Sequence, residues 1–370
     1  MSFQETRFDE TPFQENAVRF LGTQHSQVLV TNSQIRDYFP EVVWHCEIPL
    51  LRTAPVPLFL LSRLVRANRF KVVLTGEGAD EVFGGYDIFK EAKVRHFWGK
   101  RPESRLRPRL FERLYHDVFK EPSRARFFLQ KFFAVRPEDL QDPLFSHTIR
   151  WKNSGKNTSF FSDQILASLT DYQPLEEVVS RLPANFYARD SLSKAQVLEM
   201  EIFLANYLLS SQGDRMAMAN SLEIRLPFLD YRVIDFAFRL PATWKIKGLK
   251  EKYILKHSFA GLIPEDIRKR FKHPYRAPIH EAFFGDHDLG YVNDVLSQGY
   301  VKRAGYFHAG KVERLLVKYK KSEQVGSSEF QDMAFLGILS TQLIHQQFIE
   351  HFTFDIKPIQ PDKIMRKEIL

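Results

Sequence analysis

Short apolar runs alternate with helix-spaced apolar positions along the first 90 residues. Residues 27–31 (QVLVT) and 71–75 (KVVLT) are β-branched runs too short for helices, so they predict strands. Asp9 and Thr11 are candidate caps of a first helix that Gly22 ends. Such alternation indicates an α/β fold with helices on the faces of a parallel sheet. Apolar spacings of three and four predict three helices in this part of the chain: 12–21, 33–45 and 57–68.

The pattern becomes mostly helical from about Lys90 onward, without internal repeats. The tail from Phe352 is interrupted by prolines, and we expect it to lie on the surface. We divide the chain into a remainder of an α/β core (1–90), a mostly helical part of the same domain (91–351) and the tail (352–370). Seven helices are predicted after residue 90: 109–133, 164–181, 192–212, 229–239, 249–260, 310–320 and 329–351.

Composition narrows the class of protein. With 370 residues, of which 44% are hydrophobic, the chain can bury a large core without disulfides or a structural metal. Its single cysteine, Cys46, lies in a predicted helix, where a small buried residue is the expected role. No signal-peptide pattern is visible, and no apolar run approaches the roughly 20 residues that span a bilayer. We therefore expect a cytoplasmic protein without membrane contacts.

The net charge of +8 is concentrated in one segment. Residues 93–131 hold 12 Lys or Arg and four Asp or Glu, an excess equal to that of the whole chain. Interleaved aromatic residues such as Trp98 and Phe111 are also typical of RNA-binding surfaces. Because the aromatic and leucine positions recur at spacings of three or four, we favour an amphipathic helical pair with a basic outer face, and we regard nucleic acid as an improbable ligand.

The segment VVLTGEGADEVFGGYDIF (72–89) places glycines and carboxylates directly after a predicted strand. In an open parallel sheet, ligands bind beyond the carboxyl ends of the strands, and Gly76 and Gly78 permit close backbone approach to a phosphate. Glu77, Asp80 and Glu81 then suggest Mg²⁺ or proton transfer. The structural alternative is a glycine turn before a helix whose acidic N-terminus complements the dipole.

Two further segments carry charges among apolar residues. In GDRMAMANSLEIRLPFLD (213–230) we expect buried, paired charges, and for Glu223 and Arg225 a salt-bridge network is the favoured interpretation. In GLKEKYILK (248–256), Lys250 and Lys252 are two apart on a predicted helix, so only one of them should point inward.

Together these segments resemble the synthetase domain of the asparagine synthetase family. TGEGADEVFGGY is similar to the family's SGEGxDExFGGY, DRMAMANSLEIRLPFLD to its DRxSMAxSLExRxPFLD, and KEKYILK to its lysine-bearing helix. Weaker similarity includes RFDETPFQENAVRFLG, VVWHCEIPLLRTAPVPLFLLSRL and FLGILSTQLIHQQFI, so it covers nearly the whole chain. The resemblance implies an α/β sheet of the Rossmann-like adenine-nucleotide α-hydrolase type.

The resemblance also implies a reaction: MgATP adenylates aspartate to β-aspartyl-AMP, and ammonia, normally from glutamine, then gives asparagine, AMP and pyrophosphate. Glu77 would help to form or aminate the intermediate, and Lys252 would neutralise phosphate charge. Asp80 would hold magnesium or the substrate's amino group. Four residues are assigned to cofactor binding: Thr75, which stands where serine is commoner, Gly76, Asp80 and Tyr86. Five residues are assigned to substrate binding or a structural network: Arg52, Asp214, Arg215, Glu223 and Arg225.

Two departures from the family pattern limit this expectation. No SGG occurs in this sequence, so we expect the family's SGGxDS pyrophosphate loop and the first strand of its sheet to be absent from it. Met1 precedes Ser2 here, where the family's glutaminase domain begins with a cysteine, so we expect this sequence to lack that domain also. We therefore expect a fragment or split half that does not hydrolyse glutamine and that takes ammonia from a glutaminase domain or subunit, with a homodimer as an option.

Three alternatives stay open. The first is an amide ligase or cyclase that makes a β-lactam or peptide macrocycle, with HPYRAPIHEAFF (273–284) as the segment where substrate-facing residues differ. The second is a degenerate relative that binds without turnover. The third and most distant is a basic RNA-binding protein.

Overall fold

Helices dominate the computed structural model, which describes residues 1–115, 122–270, 272, 275–284, 290–320, 328–352 and 366–368. The first 100 residues contain β1 (Ser2–Phe3), α1 (Thr11–Leu21), β2 (Ser26–Val30), α2 (Asn32–Cys46), α3 (Pro55–Ala67), β3 (Val72–Leu74), α4 (Ala79–Phe83) and α5 (Asp87–Gly99). Short 3₁₀ helices cover Thr6–Phe8, Arg107–Arg109, Pro137–Gln141, Lys156–Phe160 and Pro227–Leu229.

The remaining described chain adds sixteen α-helices and two strands. Residues 199–214 and 345–350 are π-helical and continue the α-helices before them. The elements are α6 (Leu110–Leu114), α7 (Pro122–Phe132), α8 (Phe145–Gly155), α9 (Asp163–Ser168), α10 (Pro174–Arg181), α11 (Ser191–Leu198), α12 (Arg215–Met218), β4 (Glu223–Arg225), α13 (Tyr231–Arg239), α14 (Ala242–Lys245), α15 (Tyr253–Ser258), α16 (Glu265–Lys269), α17 (His280–Phe284), α18 (Tyr291–Val295), α19 (Gln298–Ala304), α20 (Ala309–Lys320), α21 (Glu329–Ile344) and β5 (Arg366–Glu368).

The strands form two small sheets. In the first, β1 runs parallel to β2, with Phe3 opposite Val30, and β5 adds antiparallel to the other edge of β2. In the second, β3 runs parallel to β4, with Val73 opposite Ile224. Parallel pairing confirms the α/β prediction at this level, whereas a single Rossmann-like sheet stays a prediction.

Local sequence signals explain where the early helices begin and end. Thr31 accepts a hydrogen bond from the Gln34 backbone N–H, and the Gln34 side chain accepts one from the Thr31 N–H, so a capping box starts α2. Such a cap contributes about 1 kcal/mol. Gly22 ends α1 with a positive φ of 62°, as predicted. Asp9 accepts hydrogen bonds from the backbone and hydroxyl of Thr11, which is the first helical residue rather than the cap.

Three predicted helices are wrong in extent. The span 164–181 is broken between α9 and α10, because Pro174 starts a new helix at its first turn. The span 109–133 contains α6 and α7, with 116–121 outside the described residues. The span 249–260 shrinks to α15, because Lys252 has a left-handed backbone and helical geometry starts after it.

One large hydrophobic core joins the ends of the chain. Aromatic rings meet edge to face where Phe283 of α17 packs on Phe39 of α2 and on Phe335 of α21. All three rings are at most 1% exposed. This core packs α2 against α3 and α3 against β2, and α3 leads along the chain into β3. The proposed division at residues 90 and 351 stays a prediction.

The basic segment has a core of its own. Trp98 and Phe111 are buried with Phe133, and the rings of Phe111 and Phe133 stack with centroids 4.3 Å apart. Phe97 and Phe127 of the same segment are exposed. Part of the aromatic pattern therefore serves packing, as the amphipathic interpretation expects, and the interpretation of nucleic acid as an improbable ligand stays a prediction.

Other predictions can be compared with the described chain. Cys46 is fully buried, and burial raises the pKa of its thiol to about 12, which agrees with a packing role. Within the described ranges, no helix is long and apolar enough to cross a bilayer. Of the predicted surface tail, the structure describes Phe352, which is exposed, and β5; residues 353–365 and 369–370 lie outside the described residues.

Candidate functional site

The glycine turn joins β3 to the short helix α4. The Thr75 backbone N–H donates to the Arg225 carbonyl at 3.1 Å, which extends the β3–β4 ladder to the turn. Gly78 has a φ of 91° directly before α4, and a Cβ at this position would lie 2.2 Å from Cδ2 of Leu229. Only glycine meets both demands, so the sequence GEG folds the chain sharply at the carboxyl end of β3.

Asp80, on the first turn of α4, is bracketed by two lysines. Its Oδ1 lies 2.9 Å from Nζ of Lys252 and its Oδ2 lies 3.2 Å from Nζ of Lys272. The carboxylate is only 14% exposed and each lysine side chain 23%, so water screens the pairs less than at an open surface. At Gly85, a Cβ would lie 1.9 Å from Asp80 Oδ1 and 2.6 Å from Lys252 Cε. The absence of a side chain there makes room for the Asp80–Lys252 contact.

Lys252 reaches Asp80 from an unusual backbone conformation. It has a φ of 47° and immediately precedes α15, whereas Lys250 is exposed. The expectation that only one of these two lysines points inward is confirmed. The reason differs from the predicted one, because both lysines lie before the helix instead of on it.

Lys272 is the site residue that sequence reasoning missed. It follows α16 by three residues, and its ammonium lies 5.7 Å from the ring centroid of Tyr86. Nothing in a run such as RKRFKHPYR distinguishes this lysine from its basic neighbours. The chain fold alone brings it to Asp80.

Tyr86 and Glu81 form a buried pair beside Asp80. The Tyr86 hydroxyl donates to Oε1 of Glu81 at 2.8 Å, and Glu81 is 1% exposed. Burial raises the pKa of Glu81, against the hydrogen bond from Tyr86, which lowers it. Burial and the charge of Glu81 raise the pKa of Tyr86 far above its ordinary value. The tyrosine is therefore a neutral donor that orients Glu81.

Two polar atoms at the turn are buried with neither a hydrogen-bond partner nor an ion-pair partner among the described residues. They are Oγ1 of Thr75 and Oε2 of Glu77. Buried polar atoms in folded proteins nearly always have partners, so these two fit a site that a bound molecule completes. The pKa of Asp214, at the end of the π-helical segment, is raised by burial and then by the charge of Glu77, so these two carboxylates share one electrostatic environment.

The other residues of the second segment are elsewhere. Glu223 and Arg225 pair with each other at 2.7 Å, as favoured, but they are 59% and 62% exposed, so the expected burial is wrong. Two residues apart on β4, they share its solvent face. Arg215 donates to Oε2 of Glu47 at 2.6 Å and to the carbonyl of His45. It therefore belongs to a structural contact.

A cleft of about 1660 Å³ is lined by Lys272 and by residues of α5, among them Asp87 and Lys90. Arg52 lines it and pairs with Glu329 at 3.0 Å. Most of residues 275–281 line it also, which agrees with the segment where we expected substrate-facing differences; 273 and 274 lie outside the described residues. The glycine turn does not line the cleft, so Lys272 is the residue that connects the two.

The arrangement fits a nucleotide phosphate better than it fits a metal held by protein alone. Two ammonium groups and two unpartnered oxygens suit phosphate oxygens and a nucleotide hydroxyl. Within the described residues, no group of three or more Asp, Glu, His or Cys could hold a metal ion. Magnesium commonly takes one or two carboxylates plus phosphate oxygens, so Asp80 as a magnesium ligand stays a prediction.

Comparison with known proteins gives this geometry its context. The family model described as asparagine synthase matches residues 1–346. The chain belongs to the asparagine synthase family. This confirms the resemblance seen in its motifs, and it places Thr75, Glu77, Asp80 and Lys252 inside the matched region.

Several curated members of the asparagine synthase family are similar to this chain. Asparagine synthetase [glutamine-hydrolyzing] 1 of Bacillus subtilis is 26% identical over 318 residues, which cover 85% of this chain and 47% of the relative. A putative asparagine synthetase [glutamine-hydrolyzing] of Mycobacterium bovis is 29% identical over 358 residues, covering 94% and 50%. The amidase chyE of Penicillium rubens is 27% identical over 285 residues, covering 73% and 41%. The chain thus spans about half the length of the asparagine synthetases it matches.

Proposed function

We propose that this chain is the synthetase part of an ATP-dependent amide ligase that adenylates aspartate and then joins it to ammonia. The observation that carries the proposal is the pair of lysines, Lys252 and Lys272, held on Asp80 beside the glycine turn. Membership of the asparagine synthase family supports the reaction class.

In each step of the proposed reaction a phosphate group departs with negative charge, which nearby positive charge stabilises. A carboxylate oxygen of the substrate attacks the α-phosphorus of ATP, the bond to the bridging oxygen breaks, and pyrophosphate leaves. Ammonia then attacks the acyl carbon, loses a proton and displaces AMP. Lys252 and Lys272 would exchange Asp80 for phosphate oxygens and stabilise the charge that grows during the first step.

The remaining site residues would bind and orient. The Thr75 hydroxyl would contact the nucleotide, and Glu77 would help to aminate the intermediate by accepting a proton from the attacking ammonia. Magnesium would neutralise phosphate charge, with Asp80 as its protein ligand. Tyr86 would keep Glu81 in place behind Asp80 through its hydrogen bond.

We also propose that a segment outside this sequence completes the site with a loop that cradles pyrophosphate, and that a glutaminase domain or subunit supplies the ammonia. Among the described residues, β3 pairs only with β4, and Val72 and Leu74 of β3 are exposed together with Phe70. An exposed apolar strand with a free edge is a surface onto which another strand can add.

The size of the cleft favours a second acceptor class. Pockets for small molecules typically measure about 300–1,000 Å³, and the cleft beside Lys272 exceeds this range. A peptide or a β-lactam precursor with a terminal carboxylate would fill more of the cleft than free aspartate would. In this case the adenylation step is the same, and the amine that attacks belongs to the acceptor itself.

The test is to follow ATP, L-aspartate and ammonium chloride by chromatography in the presence of Mg²⁺. The full chain is assayed alone and mixed with the part of the Bacillus subtilis relative outside the matched region. We expect AMP and asparagine in the mixture, and loss of both with Glu77→Gln in a folded chain. AMP that forms only with a larger carboxylate would support the second acceptor class. No AMP under any condition would support the non-catalytic alternative.

A further inference from the structure

One buried carboxylate joins three separate stretches of chain behind the two lysines. Glu251 is 1% exposed. Its Oε2 lies 3.2 Å from Nζ of Lys90 on α5, and its Oε1 lies 2.7 Å from Nζ of Lys256 on α15. The same Oε1 accepts a hydrogen bond from the backbone N–H of Lys272 at 3.2 Å. Glu251 therefore fixes α5, α15 and the stretch after α16 to one point.

The charges of this cluster reinforce one another. Burial alone would raise the pKa of Glu251, but the hydrogen bond from Lys256 and the charge of Lys90 outweigh it and lower the pKa. Burial alone would lower the pKa of Lys90, yet its hydrogen bond to Asp87 and the charge of Glu251 raise it. Both groups are ionised, so the cluster is a set of rigid charge-assisted contacts.

The backbone positions of the two lysines at Asp80 depend directly on Glu251. Lys252 is the next residue after Glu251 and holds a left-handed backbone, which costs an ordinary residue about 1 kcal/mol or more. Lys272 is held through its own N–H. A single carboxylate thus fixes the backbone of both residues whose ammonium groups meet at Asp80.

We propose that Glu251 is a positioning residue that holds Lys252 and Lys272 at the spacing required to receive phosphate oxygens in place of Asp80. The phosphate part of this statement rests on the proposed function. The positioning part rests on the contacts alone. Glu251 touches neither substrate nor reacting atoms in this role.

For the variant Glu251→Gln, the positioning role and simple electrostatics predict opposite changes in anion affinity. Glu251→Gln removes a negative charge near two phosphate-binding lysines, so a carboxylate that acted only through its field would leave the anion affinity higher. If Glu251 positions the lysines, the same substitution weakens anion binding, because displacements near 1 Å can cost a site much of its affinity or rate. Lys90 keeps Asp87 as a partner in the variant, which protects the fold.

The experiment is a calorimetric titration of the full chain with inorganic pyrophosphate. We expect Glu251→Gln to weaken binding by about tenfold or more. Glu91→Gln is the matched control: Glu91 is equally buried on α5 but pairs with Arg150, so its loss should leave the affinity within about twofold. Glu251→Asp keeps the charge and draws the carboxylate back by one methylene, and we expect it to weaken binding as well.

A second readout separates failure of this inference from failure of the proposed function. Hydrogen exchange of the Lys272 amide should be about tenfold faster in Glu251→Gln than in wild type or Glu91→Gln, since its acceptor is altered. If wild type does not bind pyrophosphate, the claim that Lys252 and Lys272 bind phosphate in this chain alone is refuted, and this exchange rate still decides the positioning claim. Unchanged or tighter pyrophosphate binding in Glu251→Gln, or an unchanged exchange rate, would overturn the inference.

Discussion

Two neighbouring residues of α5 anchor two buried charge clusters that differ in what surrounds them. Lys90 faces Glu251 and, through it, the lysines at Asp80. Glu91 faces the other way, accepts hydrogen bonds from Tyr115 and Arg150, and lies against the small core of the basic segment. Lys90 and Glu91 are 3% and 2% exposed, so burial does not distinguish them.

Buried charge is therefore a poor indicator of function by itself. The Glu91 cluster closes on itself, because its carboxylate is met by Arg150 and Tyr115. The Lys90 cluster leads to Asp80, beside which Thr75 and Glu77 hold buried oxygens without partners among the described residues. The combination of these two oxygens with the glycine turn and the two lysines on Asp80 marks the candidate site.

The largest expected effect is a loss of AMP release on substitution of a lysine in the cluster that Lys90 anchors. Lys252→Ala should lower AMP release in the complete assembly by at least about 100-fold, because a fixed cation at the transferring phosphate is lost. Lys250→Ala is the control, since this lysine is exposed and its backbone pairs with that of Lys247. Near-wild-type AMP release in Lys252→Ala, measured at saturating ATP, would refute the assignment.

A substitution in the Glu91 cluster should lower the stability of the fold and leave ligand binding unchanged. Glu91→Gln leaves Arg150 without its charge partner, and because Arg150 is 39% exposed, we expect a loss of about 2 kcal/mol in the free energy of unfolding. Urea denaturation measures it. A large change in AMP release at unchanged stability would show that the two clusters are not separate.

Gly85 tests how tightly the Asp80 contact is packed. Gly85→Ala places a methyl group in the space that Asp80 Oδ1 and Lys252 Cε share, so one side chain must move. We expect pyrophosphate affinity to fall by about tenfold, or about 1.4 kcal/mol. Gly155→Ala is the control, as its Cβ would meet no atom within 4 Å. Equal affinities in the two variants would show that the packing is not tight.

The smallest expected effect is a pH-dependent change in the free energy of unfolding, and it comes from a third buried cation. Lys245 is 1% exposed, and burial lowers its pKa to about 8. The folded chain therefore binds fewer protons than the unfolded chain between pH 8 and about 10.4. The burial penalty is fully present below pH 8 and is relieved as pH rises through this window.

Relief of this penalty should add about 1 kcal/mol to the free energy of unfolding of wild type between pH 8 and 9, relative to Lys245→Met. Urea denaturation at the two pH values measures the difference. Lys245 donates to Gln196, whose amide donates to the carbonyls of Glu81 and Val82 on α4. A difference that falls with pH would contradict the sign.

Sequence reasoning succeeded where short-range geometry decides. The strand before Gly76, the turn at Gly78 and the approach of one lysine from KEK follow from local patterns. It failed for Glu223 and Arg225, although an alternating strand such as EIR puts both charges on one face and Ile224 on the other.

Long-range pairing accounts for the rest. Lys272 is separated from Asp80 by 192 residues, and Glu251 meets Lys90 across 161. Neither contact has a local signature, because the packing of distant helices sets them. The left-handed backbone of Lys252 was equally invisible, since a lysine ordinarily favours the helical region.

Asp80 holds Lys252 and Lys272 where phosphate oxygens could replace its carboxylate, and the Lys272→Met variant tests this most directly. The variant keeps most of the side-chain length and removes the charge. We predict that calorimetric titration of the full chain with inorganic pyrophosphate shows at least about tenfold weaker binding than in wild type. Equal affinity in the two proteins would mean that Lys272 does not receive phosphate and that the two lysines at Asp80 are a structural pair only.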